Sequence, residues 1–410
     1  MQIFKARKFQ EGGMRKKEKG RWRNKISIGI IIILVFIFIG VTNMNASGFG
    51  RGDSVSRKET VEKHDKIMNI SFSPDSKKLL FDRIRDDRPA MIHVYNLETG
   101  ALSAYKPPQG EGWYYARYSF DGRQIVFSII PENRESDKLK QDLANSQIAL
   151  MEPNGKNVRK ITHTTGFKIY PSFSHDNKKV IFAKAGKLGQ HMPGTFHDIP
   201  AIFYDVYEVD LEKEREYRLT RFKFDEISPP FYLPDDETII FSAYGAPNEY
   251  PGIVEDDRKA IWKEKEKLYA KSIQGFGTIN TSHWRGALRD NIYIVKKGQS
   301  ELPEPLFRSK DNLYSPQITT KGMIYFKNPW DIYQYSPDGN HRRITNVIDR
   351  AKAIRSYSIS PDGALLAIVV YDDADHEREK TKIVIYNAND GTIRREITLP
   401  DAPAPIINKE

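Results

Sequence analysis

The stretch Ser356–Ala367 reads Ser-Tyr-Ser-Ile-Ser-Pro-Asp-Gly-Ala-Leu-Leu-Ala: a strand pattern, a turn signal and a second strand pattern. Its Ser-Pro-Asp-Gly centre favours a tight turn, because proline presets φ and glycine accepts positive φ. Similar stretches recur five times along the chain, at Asn69–Phe81, Tyr118–Phe127, Phe173–Phe182, Tyr232–Phe241 and Ile318–Phe326. A hairpin repeated six times predicts an architecture in which each unit packs only on its neighbours.

Each hairpin is followed, after a gap of variable length, by a third strand pattern with alternating apolar and polar residues. These third strands are predicted at Met91–Tyr95, Gln147–Met151, Asp205–Val209, Asn291–Val295, Asp331–Tyr335 and Lys382–Tyr386. A fourth strand closes each unit, most visibly at Arg159–Thr162, Tyr217–Thr220 and Arg342–Thr345. Six units result, over residues 67–107, 114–163, 168–220, 227–308, 314–346 and 354–399.

One four-stranded meander cannot bury both of its faces, but six arranged around an axis bury each sheet against the next. The predicted fold is therefore all-β, a six-bladed β-propeller with four-stranded blades over residues 66–400, followed by a tail at 401–410. Ring closure calls for a strand shared between the two ends, and residues 57–63 are one source for it.

The hairpins resemble the TolB-like, or WD-like, propeller repeat family, whose hallmark is an aromatic-Ser-Pro-Asp-Gly turn before an apolar strand ending in Phe. Phe72–Asp75 and Ile359–Gly363 match this turn, while Asp205–Tyr207 and Asp331–Tyr333 match a later strand of the repeat. The resemblance implies the fold and says little about function, since the family includes scaffolds, peptidase propellers and lyases. The family's namesake has an α/β domain before its propeller, for which residues 43–65 are too few, so its Tol–Pal role is not carried over.

The N-terminal part predicts a membrane protein. Residues 1–25 hold ten Lys or Arg and two Glu, so +8 of the net charge of +10 lies in this short tail. The basic charge therefore does not indicate a nucleic-acid-binding groove on the folded part of the chain. Residues 26–42 carry no charge and predict a single transmembrane helix of about 25 Å. The positive-inside rule then leaves the basic tail in the cytoplasm and the propeller outside the cytoplasmic membrane, after a linker at 43–65. A cleaved signal peptide is the alternative interpretation.

Binding is expected on one face of the propeller, which we call the insertion face, where the second and third strands of each unit are connected. Long insertions in the second, third and fourth units, at about 129–146, 184–204 and 243–290, would form a ridge there. The last of them contains a predicted helix over Asp256–Ile273. The candidate binding residues, all in loops of this face, are Trp262, Tyr269, Trp284, His191, His197, Asp372, Asp373 and Asp375.

Each of these candidates has a plainer interpretation. The apolar stripe with Trp262 and Tyr269 can pack on the propeller rim, and the acidic stretch at 372–375 lacks the glycine and the spacing of a calcium loop. His191 and His197 have no further zinc ligands that the sequence identifies. Trp113–Tyr115, at the start of the second unit, favours packing between blades over a ligand platform at the axis.

Nothing in the sequence indicates catalysis. The chain has no cysteine and none of the nucleophile-elbow, zinc-protease, P-loop or dinucleotide motifs. The predicted inner strands contain no histidine that could bind a metal at the axis. We therefore predict no catalytic residue, cofactor or metal site, and a scaffold that binds a protein or cell-envelope component. The alternative is a carbohydrate-active lyase or hydrolase that uses loop carboxylates.

Overall fold

The computed structural model describes residues 65–85, 88–132, 143–188, 201–224, 226–244, 290–301, 305–306, 313–328, 330–336, 341–345, 354–371, 381–400 and 404–407. No helix within these residues is long and apolar enough to cross a membrane. The predicted basic tail and transmembrane helix, residues 1–42, lie outside the described residues, as do positions 43–64 of the linker.

The described residues form twenty-four strands. Blade 1 contains β1 (Asp65–Phe72), β2 (Lys78–Arg85), β3 (Arg88–Asn96) and β4 (Leu102–Tyr105); blade 2 contains β5 (Glu111–Tyr118), β6 (Ile125–Pro131), β7 (Gln147–Met151) and β8 (Arg159–Lys160). Blade 3 contains β9 (Phe167–Phe173), β10 (Lys179–Leu188), β11 (Ala201–Asp210) and β12 (Arg215–Arg218); blade 4 contains β13 (Glu226–Ile227), β14 (Phe231–Tyr232), β15 (Thr238–Tyr244) and β16 (Asn291–Lys296). Blade 5 contains β17 (Tyr314–Ile318), β18 (Ile324–Lys327), β19 (Ile332–Tyr335) and β20 (His341–Arg343); blade 6 contains β21 (Ile354–Ile359), β22 (Leu365–Tyr371), β23 (Thr381–Asn387) and β24 (Ile393–Ile397).

Each blade is an antiparallel sheet, and in five of the six its four strands pair in sequence order. The first strands contact one another around a closed circle, with β21 returning to β1. The prediction of an all-β, six-bladed propeller is confirmed.

Blade 4 departs from the predicted pattern. Its inner strand is not continuous like those of the other five blades but is split into β13 and β14 by Ser228-Pro229-Pro230. Proline has no N–H for a ladder bond, so both halves pair with β15 while the prolines between them do not. At the outer edge of blade 4, beside β16, the Leu306 N–H donates to the Ile292 carbonyl at 2.7 Å.

The core consists of apolar layers between neighbouring blades. In β2, Leu79 and Phe81 pack towards blade 6, while Leu80 between them packs towards blade 2. Successive side chains of a strand point to opposite faces, so an unbroken apolar second strand supplies two layers at once.

The repeated turn is built by a serine and an aspartate. In four blades the serine Oγ donates to the aspartate Oδ1 at 2.5–2.7 Å and accepts the N–H that opens the second strand at 2.8–2.9 Å. The pairs are Ser73–Asp75, Ser119–Asp121, Ser174–Asp176 and Ser360–Asp362. Each aspartate also accepts the N–H two residues on, at 3.0–3.1 Å. The motif thus satisfies the turn's polar groups with its own side chains.

The last residue of this turn has positive φ in all six blades. Blades 2, 5 and 6 place glycine there, whereas blades 1, 3 and 4 place Ser76 (φ 59°), Asn177 (φ 58°) and Asp236 (φ 52°). Two of these contact the preceding blade: Asn177 Oδ1 accepts the Phe120 N–H at 2.8 Å, and Asp236 accepts the His175 N–H at 2.7 Å. Bonds between blades therefore offset the strain of the left-handed conformation at these positions.

The ends of the ring meet between blades 6 and 1. Phe72 and Phe81 share an apolar layer with Val369 and Ile385, and the Phe72 N–H donates to Ser358 Oγ at 3.3 Å. The suggested closing residues 57–63 lie outside the described residues. Within the predicted C-terminal tail, residues 404–407 lie along β4 of blade 1.

Candidate functional site

The inner strands share an irregularity at the same level of the axis. Five of them carry one extra residue relative to the second strand of their blade, and the sixth is the interrupted strand of blade 4. The shifts lie between Ile67 and Asn69, Tyr114 and Arg117, Ile169 and Ser172, Tyr314 and Gln317, and Ile354 and Ser356. β-Bulges change the direction of side chains and are over-represented beside functional sites, so a binding site is expected at this level of the axis.

Three bulge residues, Tyr115 (φ 58°), Tyr170 (φ 60°) and Ser315 (φ 50°), adopt the left-handed conformation. This conformation costs a non-glycine residue about 1 kcal/mol or more, so the surrounding structure must hold it. The rings of Tyr115 and Tyr170, from blades 2 and 3, pack edge-to-face with centroids 4.4 Å apart. On the other side of the circle, the Arg355 guanidinium of blade 6 contacts Met68 Sδ of blade 1.

We call these five residues, Met68, Tyr115, Tyr170, Ser315 and Arg355, the axial mouth. All except Tyr115 are half-buried, whereas most inner-strand residues nearer the repeated turns are buried. The mouth lies towards the starts of the inner strands. Because those starts pair with the ends of the second strands, it opens on the insertion face.

Arg117 lies next to the mouth, two residues after Tyr115 on β5. Its guanidinium carbon lies 4.6 Å from the centroid of the Phe231 ring, and its Nη2 donates to Asn69 Oδ1 at 3.3 Å. Arg117 belongs to blade 2 and Phe231 to blade 4, so this contact joins two blades that are not neighbours. Burial lowers the pKa of Arg117 to about 10, which the charge of Asp82 partly opposes, and the side chain stays protonated at neutral pH.

Asp82 lies behind the mouth, opposite Asn69 in the blade 1 ladder. It is fully buried, and neither carboxylate oxygen has a hydrogen-bond partner among the described residues. Burial raises its pKa to about 7, while nearby backbone N–H groups and the Arg355 charge lower it only in part. A group with no exposed surface cannot reach a substrate, so Asp82 is not a candidate general base in this conformation.

Two of the residues equivalent to Asp82 connect blades. In blade 5, Lys327 Nζ donates to the Ile354 carbonyl of blade 6 at 3.1 Å, and in blade 4, Ser242 Oγ accepts the Ser315 N–H at 3.3 Å. Burial lowers the pKa of Lys327 to about 8, and Asp290 opposes this shift. In blades 4 and 5 this position of the second strand therefore helps to hold the ring together.

Trp330 stands out on the insertion face. It lies at the tip of the β18–β19 hairpin with 43% of its surface exposed. Asn328 Oδ1 fixes the hairpin by accepting the N–H groups of Trp330 at 2.8 Å and Asp331 at 2.6 Å. An exposed tryptophan on a fixed backbone suits binding, because its large surface is already positioned. Sequence reasoning missed Trp330, although its position between two predicted strands could have identified it.

All eight predicted binding residues lie outside the described residues: Trp262, Tyr269, Trp284, His191, His197, Asp372, Asp373 and Asp375. The predicted helix Asp256–Ile273 lies outside them as well. In blade 3, β10 and β11 pair as far as Leu188 and Ala201, the residues that flank the predicted insertion between these strands. The predicted use of these loops stays a prediction.

The stretch Trp113–Tyr115 packs between blades, as predicted. Trp113 packs on Phe127 with centroids 4.7 Å apart, in a layer shared with blade 1, and the Tyr114 hydroxyl donates to Glu132 Oε1 at 2.5 Å. Tyr115 is buried in a core cluster that contains residues of blade 3, and its ring also contacts Tyr170 of that blade.

Among the described residues, no group of three or more His, Asp or Glu side chains is placed to hold a metal ion. The described mouth contains a guanidinium, hydroxyls and aromatic rings, and the Arg117 guanidinium lies beside them. Such groups bind ligands by hydrogen bonds and stacking.

This geometry defines the described part of the chain as a six-bladed β-propeller with four-stranded blades. Among solved structures, TolB from Acinetobacter baumannii is similar, with a TM-score of 0.50 and 13% identity over 84% of this chain and 65% of that chain. The chain thus spans just under two thirds of the length of that TolB. At this identity the likeness concerns the fold.

Two enzymes of known structure show a lower similarity to this chain. An oligogalacturonate lyase in complex with manganese has a TM-score of 0.47 and 14% identity, over 83% of this chain and 78% of that chain. A prolyl endopeptidase has a TM-score of 0.44 and 12% identity, over 82% of this chain and 43% of that chain. No protein-family profile and no curated protein matches the sequence.

Proposed function

We propose that this protein is a binding propeller that holds a protein or cell-envelope partner on its insertion face and catalyses no reaction of its own. The observation that carries the proposal is Trp330, an exposed aromatic side chain on a fixed hairpin of that face. Large aromatic residues dominate the energetics of protein interfaces when they are pre-positioned.

The axial mouth supports the same proposal. Arg355 is half-buried in it and Tyr170 presents a ring, while the fully buried Asp82 lies behind these groups. The mouth therefore suits recognition of a ligand better than proton transfer to one. We further propose that residues 26–42 tether the propeller to the outer side of the cytoplasmic membrane.

The proposal is tested by site-specific photo-crosslinking in cells that express the full chain. A crosslinking residue replaces Trp330 on the insertion face or, as a matched control, Ile393, which is 51% exposed at the start of β24 near the opposite face. We expect one discrete envelope component to crosslink from position 330 and not from position 393.

Crosslinks of equal yield from both positions, or from neither, would contradict the choice of face. A separate assay addresses chemistry: the purified protein is incubated with envelope glycans and with oligogalacturonate, with and without divalent metal. Turnover of any of these substrates would overturn the non-catalytic part of the proposal and favour the carbohydrate-active alternative.

A further inference from the structure

The outer strand of each blade presents unpaired backbone groups that could pair with another chain. Natural sheets protect such edges with charged side chains. The outer strands β8, β12, β20 and β24 follow this rule, since each contains at least two Arg, Lys or Glu residues. The outer strand of blade 1, β4, reads Leu-Ser-Ala-Tyr and contains none.

Residues 404–407, Ala-Pro-Ile-Ile, cover this uncharged edge. The Ala104 N–H donates to the Pro405 carbonyl at 2.9 Å, and the Ile407 N–H donates to the Ala104 carbonyl at 2.9 Å. Together these bonds form a parallel bridge between Ala104 and Ile406. Ala104 is fully buried as a result, whereas Arg159 and Lys160 of β8 are exposed.

Apolar contacts also hold residues 404–407 against blade 1. Ala404 and Ile406 pack with Met91 and Ala104 on blade 1. Ile407 packs on the layer between blades 1 and 2 that contains Trp113. The segment thus contributes three apolar side chains and a short backbone pairing, and it uses no charge.

Pro405 keeps the pairing short. A residue with an N–H at this position could donate to β4 and extend the ladder towards Leu102, but proline has no N–H. The described part of the segment is therefore held by two backbone bonds and a small apolar area. Its attachment to the same chain raises its local concentration at the edge to about the millimolar range, which favours the seated state.

We propose that the edge of β4 is a binding site for an extended, uncharged, proline-containing segment that pairs in parallel, and that residues 404–407 are its resident ligand. The site is of the β-augmentation class, in which backbone bonds give affinity and pockets for alternate side chains give selectivity. Because the segment occupies the site from within the same chain, a free peptide of the same sequence binds only once the segment is unseated.

The test uses the full chain carrying Ile406→Asp and Ile407→Asp, which places charges on the apolar seat. A fluorescent peptide with the sequence of residues 400–410 is titrated onto this variant, onto the unchanged chain and onto Ile393→Asp. The last variant adds a charge at an exposed isoleucine of another outer strand. We expect the double variant to bind the peptide at least about tenfold more tightly than the other two. A peptide with both isoleucines replaced by aspartate should not bind.

Equal peptide binding by all three proteins, or binding by none, would overturn the proposal. If the double variant does not fold, hydrogen exchange on the unchanged chain decides the question. We expect the Ala104 and Ile407 amides to exchange at least about 100-fold more slowly than amides of an unstructured chain. Exchange of the Ile407 amide at the unstructured rate would equally overturn it.

Discussion

At the scale of the residue, Asp82 links the stability of the propeller to pH. Burial raises its folded-state pKa to about 7, from 3.8 for the free side chain. Between these two values the unfolded chain releases the proton while the folded chain keeps it. The free energy of unfolding therefore falls as pH rises from about 4 to 7, and the contribution of the protonated group is lost above pH 7.

Asp82→Asn removes this titration, because an amide stays neutral. The free energy of unfolding of the variant minus that of the unchanged protein should rise by about 2–4 kcal/mol from pH 4 to pH 8. A constant effect of the amide on stability cancels in this comparison. Urea unfolding at closely spaced pH values measures the difference. A difference that does not depend on pH would show that Asp82 is ionised in the folded protein.

Asp362→Asn is the matched control with the opposite sign. The hydrogen bond from Ser360 lowers the pKa of Asp362, so its carboxylate stabilises the fold above the unfolded-state pKa and ceases to do so as pH falls through the lower folded value. The Asn variant should therefore be the less stable protein at pH 7, and its deficit should shrink in acid.

At the scale of the element, the repeated turn shows which strains are compensated. Ser76 has φ 59° and no side-chain hydrogen bond among the described residues, whereas Asp236 has φ 52° and accepts the N–H groups of His175 and Asp176 in the neighbouring blade. The same backbone strain is thus uncompensated by side-chain bonds in blade 1, whereas bonds between blades offset it in blade 4.

Glycine at these two positions should therefore have opposite effects. Ser76→Gly relieves the left-handed strain and should raise the free energy of unfolding by up to about 1 kcal/mol. Asp236→Gly relieves the same strain but removes two backbone bonds between blades and the contact of the carboxylate with the His175 ring, and should lower it by about 1–2 kcal/mol. Thermal and urea unfolding of both variants at one pH give the comparison. Shifts of the same sign would contradict this account of the turn.

The elements also show how far a sequence specifies this fold. The strand Gln147–Met151 and the four Ser-x-Asp turns were predicted because their signals are local: period-2 burial and a side chain that bonds its own turn. The split of the blade 4 inner strand at Pro229-Pro230 is local too, but it was missed because the apolar pattern continues across it.

The axial mouth could not be predicted, because its contacts join distant parts of the chain. Arg117 looks like any polar residue of a strand until the fold places Phe231, two blades away, against its guanidinium. Tyr115 packs between blades, as its aromatic neighbours suggested, but nothing local indicates that it lies in a bulge. Bulge positions depend on pairing between strands, which a single sequence does not display.

At the scale of the whole molecule, the charge and hydropathy of the N-terminal residues set the expected location. In bacterial cells expressing the full chain, we expect the protein in the membrane fraction, resistant to alkaline extraction, with the propeller open to added protease in spheroplasts. Deletion of residues 26–42 should release it from the membrane. Mass spectrometry of the purified chain would identify a cleaved signal peptide by a missing N-terminus.

The Arg117–Phe231 contact ties blade 2 to blade 4, two blades that are not neighbours in the ring. A guanidinium held over an aromatic ring two blades away restrains three consecutive blades together, because neither side chain can move away without losing the contact. We therefore expect blades 2, 3 and 4 to respond as one unit to any ligand that displaces this guanidinium.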